Sequence, residues 1–225
     1  MYLYETHLHT SPVSKCARKS VRENLEYYKS LGYDGVFITD HFLDGNISVD
    51  PTLPYSEKFD FYCSAWKEGV EIGKELGIKV FFGVELSYKG TDFLVYGLSP
   101  QWFAQHPEIE HMDKRQELQL MMDEGALVIQ AHPYREAGYI DHIRLYPRSV
   151  HGVETYNACR NELENDMAEH YAECYGLLKF AGSDNHSGEG QRKLGGMQSE
   201  FPIESEAHFV ESVLNGKMQP FKKEF

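Results

Sequence analysis

Short apolar runs alternate with segments of helical spacing along this chain of 225 residues. The runs are four to six residues long and are bounded by glycine or polar residues, a pattern typical of buried strands. They predict seven strands, at residues 1–6, 36–39, 79–84, 92–96, 126–131, 150–155 and 177–181.

Apolar positions with helical spacing predict helices between these strands. One helix follows a capping box of Ser20 and Glu23, and the others lie at residues 57–76, 113–124, 162–175 and 205–214. This alternation predicts one α/β domain over residues 1–225, with mostly parallel strands in a seven-stranded barrel related to the TIM (β/α)8 type. The glycine-rich segment 183–197 is predicted to be a loop, and the tail 216–225 a loose end.

Five of the predicted strands end in residue types that bind metals. These residues are His7, His9, Asp40, His41, Glu85, His132, Asp184 and His186. Chemistry in such barrels is found at the rim where the strands end, and alternate residues such as His7 and His9 face the same side of a strand. We therefore expect the imidazoles and carboxylates to meet in one pocket.

Nitrogen and oxygen ligands without cysteine favour Zn²⁺, Mn²⁺ or Fe. Glu85 can bridge two cations about 3.5–4 Å apart, an arrangement that serves displacement at phosphorus. Asp40 and His41 are adjacent and should diverge, so that one ligates while the other orients a neighbour.

Charge and cysteine usage narrow the class of protein. The net charge of −13 argues against a broad nucleic-acid-binding surface, since phosphate contacts need lysine and arginine. The longest apolar run is far shorter than the ~20 residues that span a bilayer, and no secretory signal opens the chain. Four cysteines without a C-x-x-C pair are expected to be reduced. These features predict a cytoplasmic protein without a membrane partner, and they leave its oligomeric state open.

The ordered motifs resemble those of the polymerase and histidinol phosphatase family, the PHP family. They are H-x-H (His7, His9), D-H (Asp40, His41), E (Glu85), A-H-P (His132) and S-D-x-H (Asp184, His186). The resemblance implies a distorted seven-stranded (β/α)7 barrel that holds two or three metal ions and hydrolyses phosphoesters. It implies a first metal on His7, His9, Glu85 and Asp184, a second on Glu85 and His132, and a third on His41 and His186.

Two positions depart from the family pattern. Lys15 stands where family members often have a histidine, and residues 92–97 offer no histidine after the fourth strand. Both departures leave the occupancy of the second and third metal positions open. Lys15 either places a fixed positive charge near the site, where it contacts phosphate, or is a solvated loop residue.

The sequence thus predicts a metal-dependent phosphoesterase that hydrolyses a small phosphorylated metabolite, as a histidinol phosphatase does, by attack of a metal-activated water. Asp184 and His186 are the predicted catalytic residues. Arg18, Arg160 and Arg192 are candidates for phosphate binding, each against the alternative of a solvated position.

The sequence leaves two other functions open. One is an amidohydrolase-type barrel, against which Glu85 argues because it stands where such barrels carry a bridging lysine. The other is a degenerate barrel that binds metal and a ligand without turnover.

Overall fold

A nine-stranded sheet forms the centre of the computed structural model, which describes residues 1–224. The strands are β1 (Tyr2–Leu8), β2 (Gly35–Ile38), β3 (Lys79–Tyr88), β4 (Thr91–Tyr96), β5 (Leu127–Ala131), β6 (Gly152–Asn157), β7 (Leu178–Gly182), β8 (Lys193–Ser199) and β9 (Gln219–Glu224). Their order in the sheet is β7-β6-β5-β4-β3-β2-β1-β8-β9.

The sheet curls into a nearly closed barrel because its edge strand β7 returns to lie against β1 and β8. Leu8 at the end of β1 forms a parallel bridge with Asn185 just after β7. The backbone N–H of His9 also donates to the Asn185 carbonyl at 3.2 Å. The ends of β1 and β7 are therefore held side by side, which matters for the site described below.

The seven predicted strands all form, but the predicted strand count and direction are not confirmed. Strands β8 and β9 are additional, and they arise from the segment predicted as a glycine-rich loop and from the predicted loose tail. The last tail residue, Phe225, lies outside the described residues. Parallel pairing holds for β1–β2–β3 and for β5–β6–β7, whereas β4, β8 and β9 pair antiparallel. The α/β class and the barrel-like sheet are confirmed.

Six α-helices cover the outside and one end of the sheet in the described chain. They are α1 (Val21–Ser30), α2 (Tyr55–Leu76), α3 (Pro100–Gln105), α4 (Lys114–Asp123), α5 (Glu162–Tyr175) and α6 (Glu206–Leu214). The predicted capping box starts α1: the Ser20 hydroxyl accepts from Glu23 N–H, and the Glu23 carboxylate accepts from Ser20 N–H. No helix within residues 1–224 combines the length and the apolar character needed to cross a bilayer.

Aromatic side chains fill the barrel at the end where the parallel strands begin. The ring of Phe37 lies 4.8 Å from Phe81 and 4.4 Å from Phe209 of α6, measured between ring centroids. Helix α6 therefore plugs this end with apolar side chains. The opposite end, where the strands finish, is left to polar residues.

Candidate metal centre

Side chains from five separate segments meet at the polar end of the barrel. His7 and His9 come from the end of β1, His41 follows β2, and His132 follows β5. Glu85 lies inside β3, because that strand continues to Tyr88 in a hairpin with β4. Asp184 follows β7, and all of these side chains are at least nine-tenths buried.

The Glu85 carboxylate is the point on which four imidazoles converge. Its Oε1 lies 3.2 Å from Nε2 of His7 and 3.3 Å from Nε2 of His132. Its Oε2 lies 3.3 Å from Nε2 of His9 and 2.7 Å from Nδ1 of His41. Neither oxygen forms a well-aligned hydrogen bond, although both are buried. Buried carboxylate oxygens without a hydrogen bond are costly unless a cation compensates them.

The hydrogen bonds behind His7 and His9 fix how these imidazoles face the cluster. Nδ1 of His7 lies 2.9 Å from the Glu154 carboxylate, which can only accept, so Nδ1 carries the proton. Nδ1 of His9 lies 3.1 Å from Ser14 Oγ, whose own hydrogen goes to Asp40 at 2.6 Å. In their neutral forms both rings therefore direct an Nε2 lone pair inward, and these two atoms are 3.2 Å apart. The two Nε2 lone pairs, together with the carboxylates of Glu85 and Asp184, form a donor set that fits a divalent metal ion.

Asp184 adds a second carboxylate to this donor set. Its Oδ1 lies 3.4 Å from Nε2 of His9 and 3.6 Å from Nε2 of His7, and its Oδ2 lies 3.8 Å from Nε2 of His132. Both Asp184 and His132 have positive φ, at 51° and 26°. A non-glycine residue held in this region is strained, and such strain concentrates at functional sites.

The electrostatics of the cluster suit a cation. Burial opposes the ionisation of Glu85 and Asp184, but the facing imidazoles outweigh it and hold the pKa of both carboxyl groups well below their usual range. Burial likewise opposes protonation of His7, yet the carboxylates of Glu154, Asp184 and Glu85 raise its pKa. Protons and a metal ion therefore compete for the same lone pairs, as is general for metal sites.

Glu154 was not predicted as a site residue, although it contacts the imidazole of His7 and the backbone of His132. Its Oε1 accepts from His7, and its Oε2 accepts from the backbone N–H of His132 at 3.0 Å and from Asn157 Nδ2 at 2.9 Å. A Cβ on Gly182 would lie 2.5 Å from Glu154 Oε1, so glycine there permits the close approach. The signal in the sequence was a carboxylate in the middle of the apolar run of β6.

Cys16 is a second residue that the sequence reading missed at the site. Ligand atoms of Cys16, His9, His41 and His186 all lie within 4.8 Å of one another. Burial raises the pKa of the Cys16 thiol, but hydrogen-bonding contacts with His186 and His41 outweigh it and lower the pKa to about 6. Cys16 is close to the candidate ligand His9 in the sequence, but nothing in the chain pairs its thiol with a partner, because Cys16 belongs to an irregular turn.

The carboxylate of Asp40 does not join the cluster. Its oxygens accept from Thr10 N–H at 2.6 Å, from the Thr10 hydroxyl at 2.5 Å and from the Ser14 hydroxyl at 2.6 Å. Since the Ser14 hydroxyl in turn accepts from Nδ1 of His9, Asp40 orients the His9 imidazole indirectly, through Ser14. The structure thus gives Asp40 the orienting position, and places His41 at the cluster.

Only Arg160, of the four cationic residues predicted to bind phosphate, lines the cavity above the cluster. This cavity of about 570 Å³ is also lined by Lys89 and Arg135, whose guanidinium lies 2.8 Å from Asp92. The other three are exposed and do not line this cavity, and their role in phosphate binding stays a prediction; they are Lys15, Arg18 and Arg192.

Comparison with known proteins finds similarity in one segment of the sequence and in the fold of the chain. A family model described as PHP-associated matches residues 162–218, which run from α5 through α6. No curated protein matches the sequence at a significant level.

Solved structures share the fold over most of the chain. A two-domain protein from Bacteroides vulgatus that contains a predicted PHP-like metal-dependent phosphoesterase superposes with a TM-score of 0.67 at 16% identity. The alignment covers 98% of this chain and 64% of that protein, so this chain spans less than two thirds of its length. A candidate metal-dependent phosphoesterase from Bifidobacterium adolescentis has a TM-score of 0.55 at 14% identity, over 82% of this chain and 88% of that one.

A third structure is an amidohydrolase from Chromobacterium violaceum with bound sulfate and no metal. Its TM-score is 0.58 at 14% identity, over 96% of this chain and 97% of that one. At such identities the likeness shows a shared fold.

Proposed function

We propose that this chain, which the PHP-associated segment and the shared fold support as a PHP family protein, is a metal-dependent phosphoesterase that acts on a small phosphorylated metabolite. The observation that carries the proposal is the Glu85 carboxylate: both of its buried oxygens lack a hydrogen bond while four imidazoles face them. The similar structures support the coarser statement, a metal-dependent hydrolase.

The residues at the cluster would hold two or three divalent ions, of which Zn²⁺, Mn²⁺ and Fe fit the donor types. When bound, such ions lower the pKa of water and neutralise charge that develops on phosphoryl oxygens. His7, His9, Glu85, His132 and Asp184 would bind the ions, as the clusters of ligand atoms indicate. Glu154 and Ser14 keep the imidazoles in the tautomer that binds.

The cavity above the cluster supports a small anionic substrate. Its volume of about 570 Å³ falls in the range of small-molecule sites. Arg160 is the strongest candidate for a phosphate contact, because its Nε is buried without a hydrogen-bond partner and its side chain lines the cavity. Lys89, which also lines the cavity, adds positive charge. The net charge of −13 disfavours nucleic acid as substrate.

Substitution of the ligands tests the proposal. Asp184→Ala and His9→Ala remove ligand atoms from the cluster, and we expect each to lower phosphomonoester turnover by at least about 100-fold with Mn²⁺ or Zn²⁺ present. Asp166→Ala and His170→Ala, at exposed positions of α5, are the matched controls and should retain turnover. Folding is checked by circular dichroism. Full activity in the ligand variants would overturn the proposal.

A second candidate is an amidohydrolase-type activity, favoured by the likeness to the Chromobacterium violaceum structure. Glu85 argues against it, since it takes the place of a bridging lysine. The buried lysines are engaged elsewhere: Lys114 pairs with Asp44 and Glu117, and Lys58 pairs with Glu110. A panel of phosphomonoesters, phosphodiesters, amides and lactones separates the two activities, and metal binding without turnover on the whole panel would indicate a binding protein.

A further inference from the structure

A thiol and imidazoles form a second group of potential ligands beside the Glu85 cluster. Cys16 lies in the turn after β1, His41 follows β2, and His186 follows β7. One ligand atom from each of these three residues and one nitrogen of His9 all lie within 4.8 Å of one another. Three separate segments thus bring sulfur and nitrogen donors to one point of the rim.

The backbone on both sides of Cys16 is held by hydrogen bonds. Lys15 N–H donates to the Asn46 carbonyl at 2.9 Å, and Arg18 N–H donates to the His186 carbonyl at 2.8 Å. The turn is thereby tied directly to the segment that carries His186. Lys15 itself is exposed, so the residue that faces the cluster from this turn is its neighbour Cys16.

The imidazoles of this group are also oriented toward a shared point. Nδ1 of His186 donates to the Asp184 backbone carbonyl at 2.8 Å, which leaves a lone pair on Nε2. His41 is 92% buried, and its Nδ1 forms no hydrogen bond although it lies 2.7 Å from Glu85 Oε2. The His9 ring stacks on His186 at 4.3 Å and lies 4.5 Å from His41. An unpartnered buried nitrogen and a nearby thiol are what a metal ion would satisfy.

We propose that Cys16, as a thiolate, binds a divalent metal ion together with His41 and His186. This inference rests on the proposed metal-dependent function and adds a mixed sulfur and nitrogen centre to it. Binding breaks the S–H bond, and the proton passes to solvent as the sulfur–metal bond forms. A thiolate ligand favours Zn²⁺ over Mn²⁺ at this centre, because Mn²⁺ prefers oxygen donors.

Cys159 provides a matched comparison within the same chain. Its Sγ also lies near His186, in a group with Asp184. However, Cys159 is exposed, and its thiol donates to the Asp184 carbonyl at 3.1 Å and to Gln191 Oε1 at 3.3 Å. Cys159 Sγ is thus occupied by contacts with two oxygen acceptors, so it is not expected to bind the metal.

Cobalt substitution tests the proposal. Chelator-treated protein is titrated with Co²⁺, and a thiolate ligand gives a sulfur-to-cobalt charge-transfer band in the near ultraviolet. We expect the band in the wild type and in Cys159→Ser and its loss in Cys16→Ser, together with about 10- to 100-fold weaker Zn²⁺ binding at one class of sites. A band that persists in Cys16→Ser, or that is absent from the wild type, overturns the proposal.

Thiol protection gives a second readout that needs no substitution. Zn²⁺ should slow alkylation of Cys16 by iodoacetamide, measured by peptide mass spectrometry, while the exposed Cys174 reacts at an unchanged rate. Equal alkylation of Cys16 with and without bound Zn²⁺ contradicts the inference.

The outcomes also separate this inference from the proposed function. Protein that binds metal and hydrolyses phosphoesters but shows no thiolate band contradicts only the role of Cys16. Protein that binds no Co²⁺ or Zn²⁺ at all contradicts both.

Discussion

Glu154 determines more of the site than its position inside a strand suggests. It holds the proton of His7 on Nδ1 and binds the backbone N–H of His132 with its other oxygen. One buried carboxylate therefore orients the His7 imidazole and holds the backbone at His132.

Glu154→Gln tests this positioning role. The amide can present its N–H₂ to Nδ1 of His7, which favours the tautomer whose Nε2 carries a proton and cannot bind metal. We expect metal affinity to fall by about 10- to 100-fold, measured by competition with a chromogenic chelator. Glu211→Gln, at an exposed position of α6, should bind metal as the wild type does. Equal affinity in Glu154→Gln would show that the carboxylate does not set the tautomer.

The sequence predicted the ligands at strand ends and missed those that tertiary contacts bring in. His7, Glu85 and Asp184 stand out because a charged or ionisable residue interrupts or follows an apolar run. The turn that carries Cys16 is held at the cluster by backbone hydrogen bonds between residues far apart in the sequence. Lys15 bonds to Asn46, 31 positions away, and Arg18 bonds to His186, 168 positions away. Such contacts have no local signature in the chain.

Strand β8 extends the sheet beyond β1 and was the largest omission among the predicted elements. Its glycines predict a loop, yet in the structure they allow close packing against β1. A Cβ on Gly196 would lie 2.1 Å from the Tyr4 carbonyl oxygen. Glycine inside a strand can mark a close backbone approach as well as a turn.

Gly196→Ala tests the importance of this contact. The clash requires β8 to move away from β1, and we expect the free energy of unfolding to fall by about 3 kcal/mol or more, measured by urea denaturation. Gly138→Ala is the control: its Cβ would meet nothing within 4 Å, and a change of at most about 0.5 kcal/mol is expected. Equal stability of both variants would contradict the close packing of β1 and β8.

Helix α4 carries a buried charge network that makes stability depend on pH. Lys114 lies 2.7 Å from both Asp44 and Glu117, and all but Asp44 are buried. Burial raises the pKa of Glu117 to about 7, against the opposing attraction of Lys114. Folded protein therefore keeps the Glu117 proton up to about pH 7, whereas the unfolded chain releases it near the ordinary glutamate pKa. The stability that this proton provides is lost as the pH rises from that ordinary value through about 7.

Glu117→Gln should remove this contribution. Between about pH 5 and about pH 8, the stability of the variant should rise relative to wild type by about 3 kcal/mol, as urea denaturation at each pH would show. Glu124→Gln, exposed at the end of α4, should follow the wild-type profile. Parallel profiles for Glu117→Gln and wild type would contradict the assignment.

At the scale of the whole molecule, the barrel keeps apolar packing and chemistry at opposite ends. Aromatic rings and α6 close the end where the parallel strands begin, and ionisable residues occupy the end where they finish. The alternation of strands and helices was enough to predict the end at which the ionisable residues lie. The exact closure was not predictable, since it depends on β7 lying against β1 and β8, and β1 is far from both of them in the sequence.

The most direct test of the account follows bound metal and phosphate release in the same samples. Protein freed of metal by chelation is reloaded stepwise with Zn²⁺ or Mn²⁺, and p-nitrophenyl phosphate hydrolysis is measured beside metal content by elemental analysis. The account predicts no hydrolysis without metal and a rate that rises with bound metal. Hydrolysis at an undiminished rate by metal-free protein, or fully loaded protein that cleaves no phosphoester, would contradict it.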